Sequence, residues 1–350
     1  MERKQPLVSI IIPNYNHSMY LDQSIQSALN QTYQNIEVII NDNCSNDKSI
    51  EVAMKYIDKG VVINKNTQNI YNFNYDVLYG YARGTYFILL CADDVIQSEF
   101  IEKAVNIMEH NSNIGFVHCE RNYIDEKGII TELDPFFDCS FMASGEQMLP
   151  IFMLTDVGQS AQAVIRRSSF EEVGKHDTES DHLNIDREQW FRLSMVSDYA
   201  YIREKLTFIR MPETTSETSR IVETFYHPIA LYHTIKSFEK WGELRNYPNV
   251  IERVDVALKR LAGECMGFTK VFLSQGKYDL AKQYLLFMKL VNNAVVEDKE
   301  YLECQQICQS RQNNGMKVDE FKKSKNYSFR KRNYNPPEGY VLLDEGGYHA

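Results

Sequence analysis

Short apolar runs alternate with amphipathic stretches along the first half of the chain. The runs are strand-sized and rich in β-branched residues, which is typical of strands buried on both faces of a sheet. They lie at residues 8–12, 36–40, 61–63 and 86–90. Between them, apolar residues recur at helical spacing over 20–29, 50–56 and the stretch that ends at Tyr81. This alternation predicts parallel βαβ crossovers in an α/β fold, whose ligand crevice lies beyond the carboxyl ends of the strands.

The pattern changes twice farther along the chain. Residues 116–208 are mixed, with strand-like runs at 116–119 and 163–166 and a predicted helix over 186–196. From about Glu223 the pattern is almost wholly helical, and 276–281 resembles the turn of a tetratricopeptide-type helical hairpin. The last part is polar, with a basic cluster at 322–332, and predicts a loose segment or an extended arm. We therefore expect three parts: residues 1–222, a helical module over 223–310, and a tail over 311–350.

Composition narrows the class of protein. The 350 residues carry a formal net charge of −10, which argues against a nucleic-acid binder, because such proteins present a basic footprint. No apolar run approaches the ~18–20 residues that a membrane-spanning helix needs. The seven cysteines are scattered and odd in number, which fits a reducing compartment better than a disulfide framework. We expect a soluble, cytoplasmic protein.

Polar side chains follow three of the predicted strands. Tyr15 comes after the first strand, Asp42 after the second, and Asp93 and Asp94 after the fourth. Adjacent carboxylates repel each other, and a divalent cation held by their oxygens would offset that repulsion and could bridge a diphosphate. An aromatic ring can stack on a nucleotide base, and a carboxylate can accept hydrogen bonds from the N–H groups of that base. The alternative is that Asp93 and Asp94 only cap the following helix.

Seven segments, in the same order, resemble those of family-2 glycosyltransferases. They lie at 8–16, 24–33, 36–47, 66–74, 82–86, 93–94 and 185–193, so the resemblance covers about residues 7–219. Residues 82–86 match an Ala-x-Gly-x-Tyr pattern, and Asp93-Asp94 occupies the metal motif. Residues 185–193 resemble Glu-Asp-x-x-x-Trp-x-Arg-Leu. The resemblance implies a GT-A fold, a Rossmann-like nucleotide-sugar-binding domain, over 1–222.

The resemblance also implies roles for individual residues on the donor side. Tyr15 would stack on the nucleotide base, Asp42 would contact the N–H of that base, and Asp93 would contact the ribose or the diphosphate. Asp94 would bind Mn²⁺ or Mg²⁺ at the diphosphate. The full set of nucleotide-binding candidates is Pro13, Tyr15, Asp42, Asn69, Asn74 and Asp93.

On the acceptor side, the resemblance makes Asp186 the general base. It would remove a proton from the acceptor hydroxyl as that oxygen attacks the anomeric carbon, in a single displacement that inverts the anomeric configuration. Arg192 lies six residues farther on; it either positions Asp186 or the acceptor, or is an ordinary solvated helix arginine.

The sequence departs from the family pattern in three places. Asn41 replaces an aspartate, Ile185 replaces a glutamate before the expected base, and Arg210-Met211-Pro212 lacks a histidine that the family often carries there. A third metal or phosphate ligand would then come from His182 or His227, or be absent.

Together these features predict an inverting, metal-dependent glycosyltransferase of polysaccharide biosynthesis. The expected donor is a nucleotide-diphosphate sugar, with UDP favoured. The expected acceptor is a hydroxyl of a bacterial cell-envelope glycan or lipid-linked glycan: capsule, lipopolysaccharide or wall polymer. The helical module is a candidate for homo-oligomer contacts, and the basic tail for peripheral contact with the inner face of the membrane. The alternatives are a protein O-glycosyltransferase whose helical module holds a polypeptide, and a non-catalytic nucleotide-sugar-binding or scaffold protein.

Overall fold

A computed structural model describes residues 5–71, 73–174, 184–211, 222–311 and 334–343. Within these ranges, eleven strands form one mixed sheet. They are β1 (Val8–Asn14), β2 (Ile36–Asp42), β3 (Val62–Lys65), β4 (Tyr86–Leu89), β5 (Val95–Ile96), β6 (Ile114–Ile124), β7 (Ile130–Thr131), β8 (Phe141–Ala143), β9 (Ala163–Arg166), β10 (Asp198–Arg210) and β11 (Val341–Leu342).

The first four predicted strands form the parallel part of this sheet, as the sequence indicates. β1 lies between β2 and β4, with Val8 opposite both Ile36 and Tyr86, and β3 extends the sheet beyond β2. β9 runs antiparallel between β4 and β6, and β10 pairs in parallel with β6. The strands that carry Tyr15, Asp42 and Asp93 therefore all end at the same edge of the sheet.

Helices cover both faces of the sheet. They are α1 (Leu21–Leu29), α2 (Ser49–Met54), α3 (Phe73–Tyr81), α4 (Phe100–His110), α5 (Gly145–Leu154), α6 (Arg167–Val173) and α7 (Ile185–Ser194). α1 and α4 bury one apolar stripe each in a core on one face, together with alternate residues of β1 and β2. α3, α5, α6 and α7 contribute to the core on the opposite face.

Five further helices lie within the described residues 222–311, which confirms the helical pattern expected after Glu223. They are α8 (Tyr226–Arg245), α9 (Pro248–Ile251), α10 (Val254–Ser274), α11 (Tyr278–Val291) and α12 (Lys299–Ser310). Phe238 of α8 stacks on Phe191 of α7, with ring centroids 4.0 Å apart and planes 8° apart. The buried residues of α8–α12 belong to the same hydrophobic core as those of α5 and α7. These helices therefore share one core with the sheet.

Gly84, just before β4, has no room for a side chain because the backbone at the start of β1 passes directly beside it. A Cβ at Gly84 would lie 2.5 Å from the Tyr86 carbonyl and 2.7 Å from the Ser9 nitrogen. The Gly84 N–H donates to the Ser9 hydroxyl at 2.8 Å, and that hydroxyl donates to Glu37 at 2.6 Å. This contact explains the glycine of the 82–86 motif.

The described part of the tail, 334–343, returns to the sheet as an extended arm. Its strand β11 pairs antiparallel with β8, and Tyr334 forms a bridge with Phe137. β8 is thereby covered on its outer side. The basic cluster at 322–332 lies outside the described residues. None of the described helices combines the length and the apolar character that a membrane crossing requires.

Candidate functional site

The ends of β1 and β2 are joined through one buried carboxylate. Asp42 is 1% exposed, and its oxygens accept hydrogen bonds from the Asn14 side chain at 2.7 Å and from the Ser45 N–H at 2.9 Å and hydroxyl at 2.5 Å. Asn16 and Asn46, on the two loops, extend this connection, since the Asn46 N–H donates to the Asn16 amide oxygen at 2.9 Å. The loop after β1 is therefore fixed against the loop after β2.

An amide network lines the neighbouring loop. The Asn41 side chain donates to Asn74 and Asn66, Asn66 donates to Asn43 at 2.9 Å, and Asn43 donates to Asn69 at 2.7 Å. Asn41, which replaces an acidic residue of the family pattern, thus fits a neutral network that a carboxylate could not join as a donor. Asn69 and Asn74, two nucleotide-binding candidates, bond within this network.

Pro13 and Tyr15 lie at the carboxyl end of β1. Pro13 is half-buried in β1, whereas the Tyr15 side chain is 42% exposed. The following residue, Asn16, has a φ of 57°, and its N–H donates to the Ser45 hydroxyl at 2.9 Å. An exposed ring on a loop fixed in this way is available to a planar ligand.

Cys91, Asp93 and Asp94 form a compact group after β4. The Cys91 sulfur and one oxygen from each carboxylate lie within 4.8 Å of one another. Asp94 is 4% exposed, and burial followed by the charge of Asp93 raises its pKa well above the ordinary value. α4 begins at Phe100 and its N-cap residue is Glu99, so Asp93 and Asp94 do not cap that helix.

Arg210 fixes this acidic group from the far end of β10. Its backbone N–H donates to Asp94 Oδ1 at 2.8 Å, and its Nε donates to the Asp93 carbonyl at 2.9 Å. The guanidinium also donates to the Asp125 carbonyl at 2.5 Å and to Gln23 Oε1 at 2.7 Å. Arg210 was not among the predicted site residues, and no local pattern in the sequence indicates these contacts.

Asp186 lies in the first turn of α7, where Ser160 donates a hydrogen bond to its carboxylate. Burial, and then the negative charge of Asp156, raise the pKa of Asp186 to about 7. A carboxyl group with a pKa near neutrality can accept a proton and release it again at the pH of a cell, as a general base must. Ser160 and Asp156 were not among the predicted site residues.

The fold brings Asp186 close to the acidic group, although 92 positions separate it from Asp94 in the sequence. Burial, and then the charges of Asp94, Asp93 and Asp186, raise the pKa of the Cys91 thiol well above its usual range. Cys91 therefore lies within electrostatic reach of all three carboxylates. Cys91 was not among the predicted site residues, although its position two residues before Asp93 was an available signal.

The accessory candidates fall elsewhere. Arg192 is 8% exposed rather than solvated; its guanidinium donates to the carbonyls of Val173 and Gly174, at the end of α6. His227 packs edge-on against Phe268 of α10, with centroids 5.7 Å apart, and is not part of the ligand group that the described residues form. His182 lies outside the described residues.

Comparison with known proteins places this architecture among glycosyltransferases. The family described as "Glycosyl transferase family 2" matches residues 9–174. An uncharacterized glycosyltransferase of Rickettsia typhi is 30% identical over 219 residues, 62% of this chain and 67% of the relative. Another, from Haemophilus influenzae, is 39% identical over 132 residues, 34% of this chain and 51% of the relative. The chain thus spans about half the length of the Haemophilus protein.

The fold matches that of a solved structure. S. aureus TarS 1-349, in complex with UDP-GlcNAc, superposes with a TM-score of 0.61 over 97% of both chains, at 16% sequence identity. At that identity the likeness concerns the fold, and it confirms the expected α/β GT-A arrangement with following helices. The family match over residues 9–174 and the alignment to two thirds of the Rickettsia protein lead to one assignment. The chain belongs to glycosyl transferase family 2.

Proposed function

We propose that this protein transfers a sugar from a nucleotide-diphosphate sugar to an acceptor hydroxyl, with inversion of the anomeric configuration and with Asp186 as general base. The observation that carries this proposal is the position of Asp186. It is a half-buried carboxyl with a pKa of about 7, within electrostatic reach of the group that contains Asp93 and Asp94.

The chemistry at Asp186 follows from its surroundings. The carboxylate accepts the proton of the acceptor hydroxyl as that oxygen bonds to the anomeric carbon, and the bond from that carbon to the diphosphate oxygen breaks. Ser160, which donates to the carboxylate, fixes the orientation of the group. The diphosphate leaves with both electrons of the broken bond.

The donor is proposed to occupy the crevice beyond β1, β2 and β4. The exposed Tyr15 ring offers a stacking surface, and the rigid loops after β1 and β2 shape the wall beside it. Asp42 already accepts three hydrogen bonds from its own loops, which leaves about one of its four lone-pair positions for a base N–H. TarS holds UDP-GlcNAc in its solved complex, so a UDP-sugar is the first donor to test.

The residues after β4 fit a divalent cation. Asp94 is buried, and its pKa lies well above the ordinary value because of burial and of the charge on Asp93. A dication bound to the oxygens of both carboxylates would offset their mutual repulsion, and we propose Mn²⁺ or Mg²⁺. When bound, the ion would offset the negative charge of the leaving diphosphate.

The acceptor is proposed to be a bacterial cell-envelope glycan or lipid-linked glycan, modified from the cytoplasmic side. The relatives in Rickettsia and Haemophilus support a bacterial setting. We propose that the chain divides into residues 1–222, 223–310 and 311–350. The helical module, residues 223–310, would bind the acceptor or a second copy of the chain.

Donor binding is tested by a thermal-shift titration with UDP, dTDP and GDP, each with and without Mn²⁺. Saturation to ~100 times the dissociation constant adds about 2.7 kcal/mol to the stability of the folded state, which is a measurable shift. We expect a shift with one nucleotide that needs the metal and that is lost in Asp94→Asn. The control Asp58→Asn, an exposed carboxylate, should behave as wild type.

Turnover is tested with Asp186→Asn. We expect transfer to fall by about 10²–10⁴-fold, as for loss of a general base, while the nucleotide-induced shift persists. Loss of nucleotide binding in this variant would contradict the assignment of Asp186 as base. Nucleotide binding without turnover of any sugar donor in the wild type would favour the binding or scaffold alternative.

A further inference from the structure

We propose that the Cys91 thiol is a direct ligand of the metal, so that the cation is held by one sulfur and two carboxylates instead of by oxygens alone. This inference rests on the proposed function, since it concerns the cation assigned to Asp94. It adds a ligand that determines which metals the protein prefers.

The geometry of the three side chains supports a shared ion. The Cys91 sulfur, an Asp93 oxygen and an Asp94 oxygen lie within 4.8 Å of one another. Metal–ligand bonds are about 2.0–2.3 Å for oxygen and sulfur ligands of Zn²⁺, so atoms on opposite sides of one ion are separated by roughly 4–4.6 Å. Small side-chain rotations would therefore bring all three atoms into contact with one cation.

The backbone around Cys91 is fixed in this position. Its carbonyl accepts a hydrogen bond from the Ser24 hydroxyl at 3.1 Å and another from the Asp94 N–H at 3.1 Å. The N–H of the preceding residue, Leu90, donates to the Ile11 carbonyl at 2.9 Å. The sulfur is thus held beside the carboxylates by α1, by β1 and by the turn after β4.

The surroundings of Cys91 differ from those of a thiol that only fills a core. Cys119 and Cys265 are 0% and 1% exposed, whereas Cys91 is half-buried and faces the acidic group. Three carboxylates, on Asp93, Asp94 and Asp186, act on it. A bound dication would offset this negative charge, and the thiol proton would leave to solvent as the metal–sulfur bond formed.

A thiolate ligand changes the expected metal preference. Thiolates are soft ligands that favour zinc and copper(I), whereas sites of carboxylates and water suit magnesium and manganese. We therefore expect this protein to bind Zn²⁺, Cd²⁺ and Co²⁺ more tightly than Mg²⁺. The ratio of the affinities for these three ions to the affinity for Mg²⁺ should fall by about tenfold or more when the sulfur is replaced by oxygen.

The test is a titration with Co²⁺, followed by absorption spectroscopy, on the purified full chain. Bound Co²⁺ gives weak visible bands with any ligands, and an intense near-ultraviolet charge-transfer band when a thiolate is coordinated. We expect this band in wild type, with one Co²⁺ per chain, and its loss in Cys91→Ser. The control Cys308→Ser, in α12, should keep the band. Calorimetric titration measures Co²⁺ affinity, and Cys91→Ala serves as a second variant if the serine variant does not fold.

The outcomes separate this inference from the function on which it depends. Co²⁺ binding without the charge-transfer band, or a band that survives in Cys91→Ser, would overturn the thiol ligand and leave the metal at Asp94 standing. Failure of wild type to bind Co²⁺ would overturn both the thiol ligand and the metal proposal. In that case, the nucleotide-induced thermal shift without metal decides whether donor binding survives.

Discussion

Burial and the charge of Asp156 favour the neutral form of Asp186, against the hydrogen bonds from Ser160. Because burial and Asp156 raise its pKa to about 7, the base is protonated in acid and becomes competent as the pH rises. We expect kcat/KM for transfer to increase about tenfold per pH unit well below pH 7 and to level off above it. Initial rates across a pH series at saturating metal measure this profile. A flat profile between pH 5 and 8 would contradict the role of Asp186.

Asp156 gives a second prediction at the residue scale, because it acts on Asp186 through charge. Asp156→Asn removes a negative charge and should lower the pKa of Asp186, so the rise in transfer activity should move to lower pH. The exposed carboxylate Asp58 provides the control, since Asp58→Asn should leave the profile in place. Loss of activity without a shift in the profile would mean that Asp156 acts by another route.

The raised pKa of Asp186 also has a consequence for stability. Its folded-state pKa, about 7, exceeds the ordinary value of 3.8, so the folded protein loses stability as the pH rises from about 4 to about 7. In metal-free protein, Asp186→Asn should therefore be more stable than wild type at pH 8, by about 4 kcal/mol, and nearly equal to it at about pH 4. Urea denaturation at the two pH values measures this. If the two proteins differed equally in unfolding free energy at both pH values, that result would be inconsistent with a half-buried carboxyl that titrates.

Motifs in the sequence predict the candidate site residues but not the groups that hydrogen-bond to them. Asp93, Asp94 and Asp186 lie in recognisable segments. Ser160 lies 26 residues from Asp186, and Arg210 lies 116 residues from Asp94. Such contacts depend on how distant elements pack, which no local spacing records.

At the scale of elements, the tight start of β4 gives a further prediction. Gly84→Ala places a Cβ 2.5–2.7 Å from backbone atoms of residues 7, 9 and 86, and should destabilise the fold by about 1–3 kcal/mol. Gly263→Ala is the matched control. Gly263 is exposed in α10 with open space around its Cα, so alanine there should stabilise by roughly 0.5–1 kcal/mol. Thermal or urea unfolding distinguishes the two, and equal effects would contradict this account.

β1–β4 and the helices after Glu223 followed from the sequence, whereas β10, the longest described strand, and the two-residue strands did not. β1, β2 and β4 are rich in β-branched or aromatic residues, and a buried parallel strand has that composition. β5, β7 and β11 are two residues long, and their pairing depends on β10, β6 and β8. A segment that short carries no periodicity to read.

At the scale of the whole molecule, Phe238 links the helical module to the helix that carries Asp186. Its ring stacks on Phe191 of α7, and the Arg187 guanidinium lies 5.8 Å from its centroid. Phe238→Ala should destabilise the protein by about 3–5 kcal/mol. It should also lower kcat more than it weakens nucleotide binding, because α7 loses its support.

The control for this variant is Leu244→Ala, on the same helix. Leu244 is 68% exposed, so its truncation should change stability by less than about 0.5 kcal/mol and leave kcat unchanged. Denaturation and steady-state kinetics on both variants provide the comparison. An unchanged kcat in a folded Phe238→Ala protein would mean that the helical module does not support the base.

The pairing of β11 with β8 has a consequence for how the protein is made. β8 ends at Ala143, and its partner begins at Val341, about 200 residues later. At a synthesis rate of about 5–20 residues per second, the edge of β8 waits roughly 10–40 s on the ribosome before the strand that covers it exists. An open strand edge is a template for pairing with other chains. Newly made molecules thus pass through an interval in which this edge can recruit a neighbouring nascent chain, and chaperone binding during synthesis would protect it.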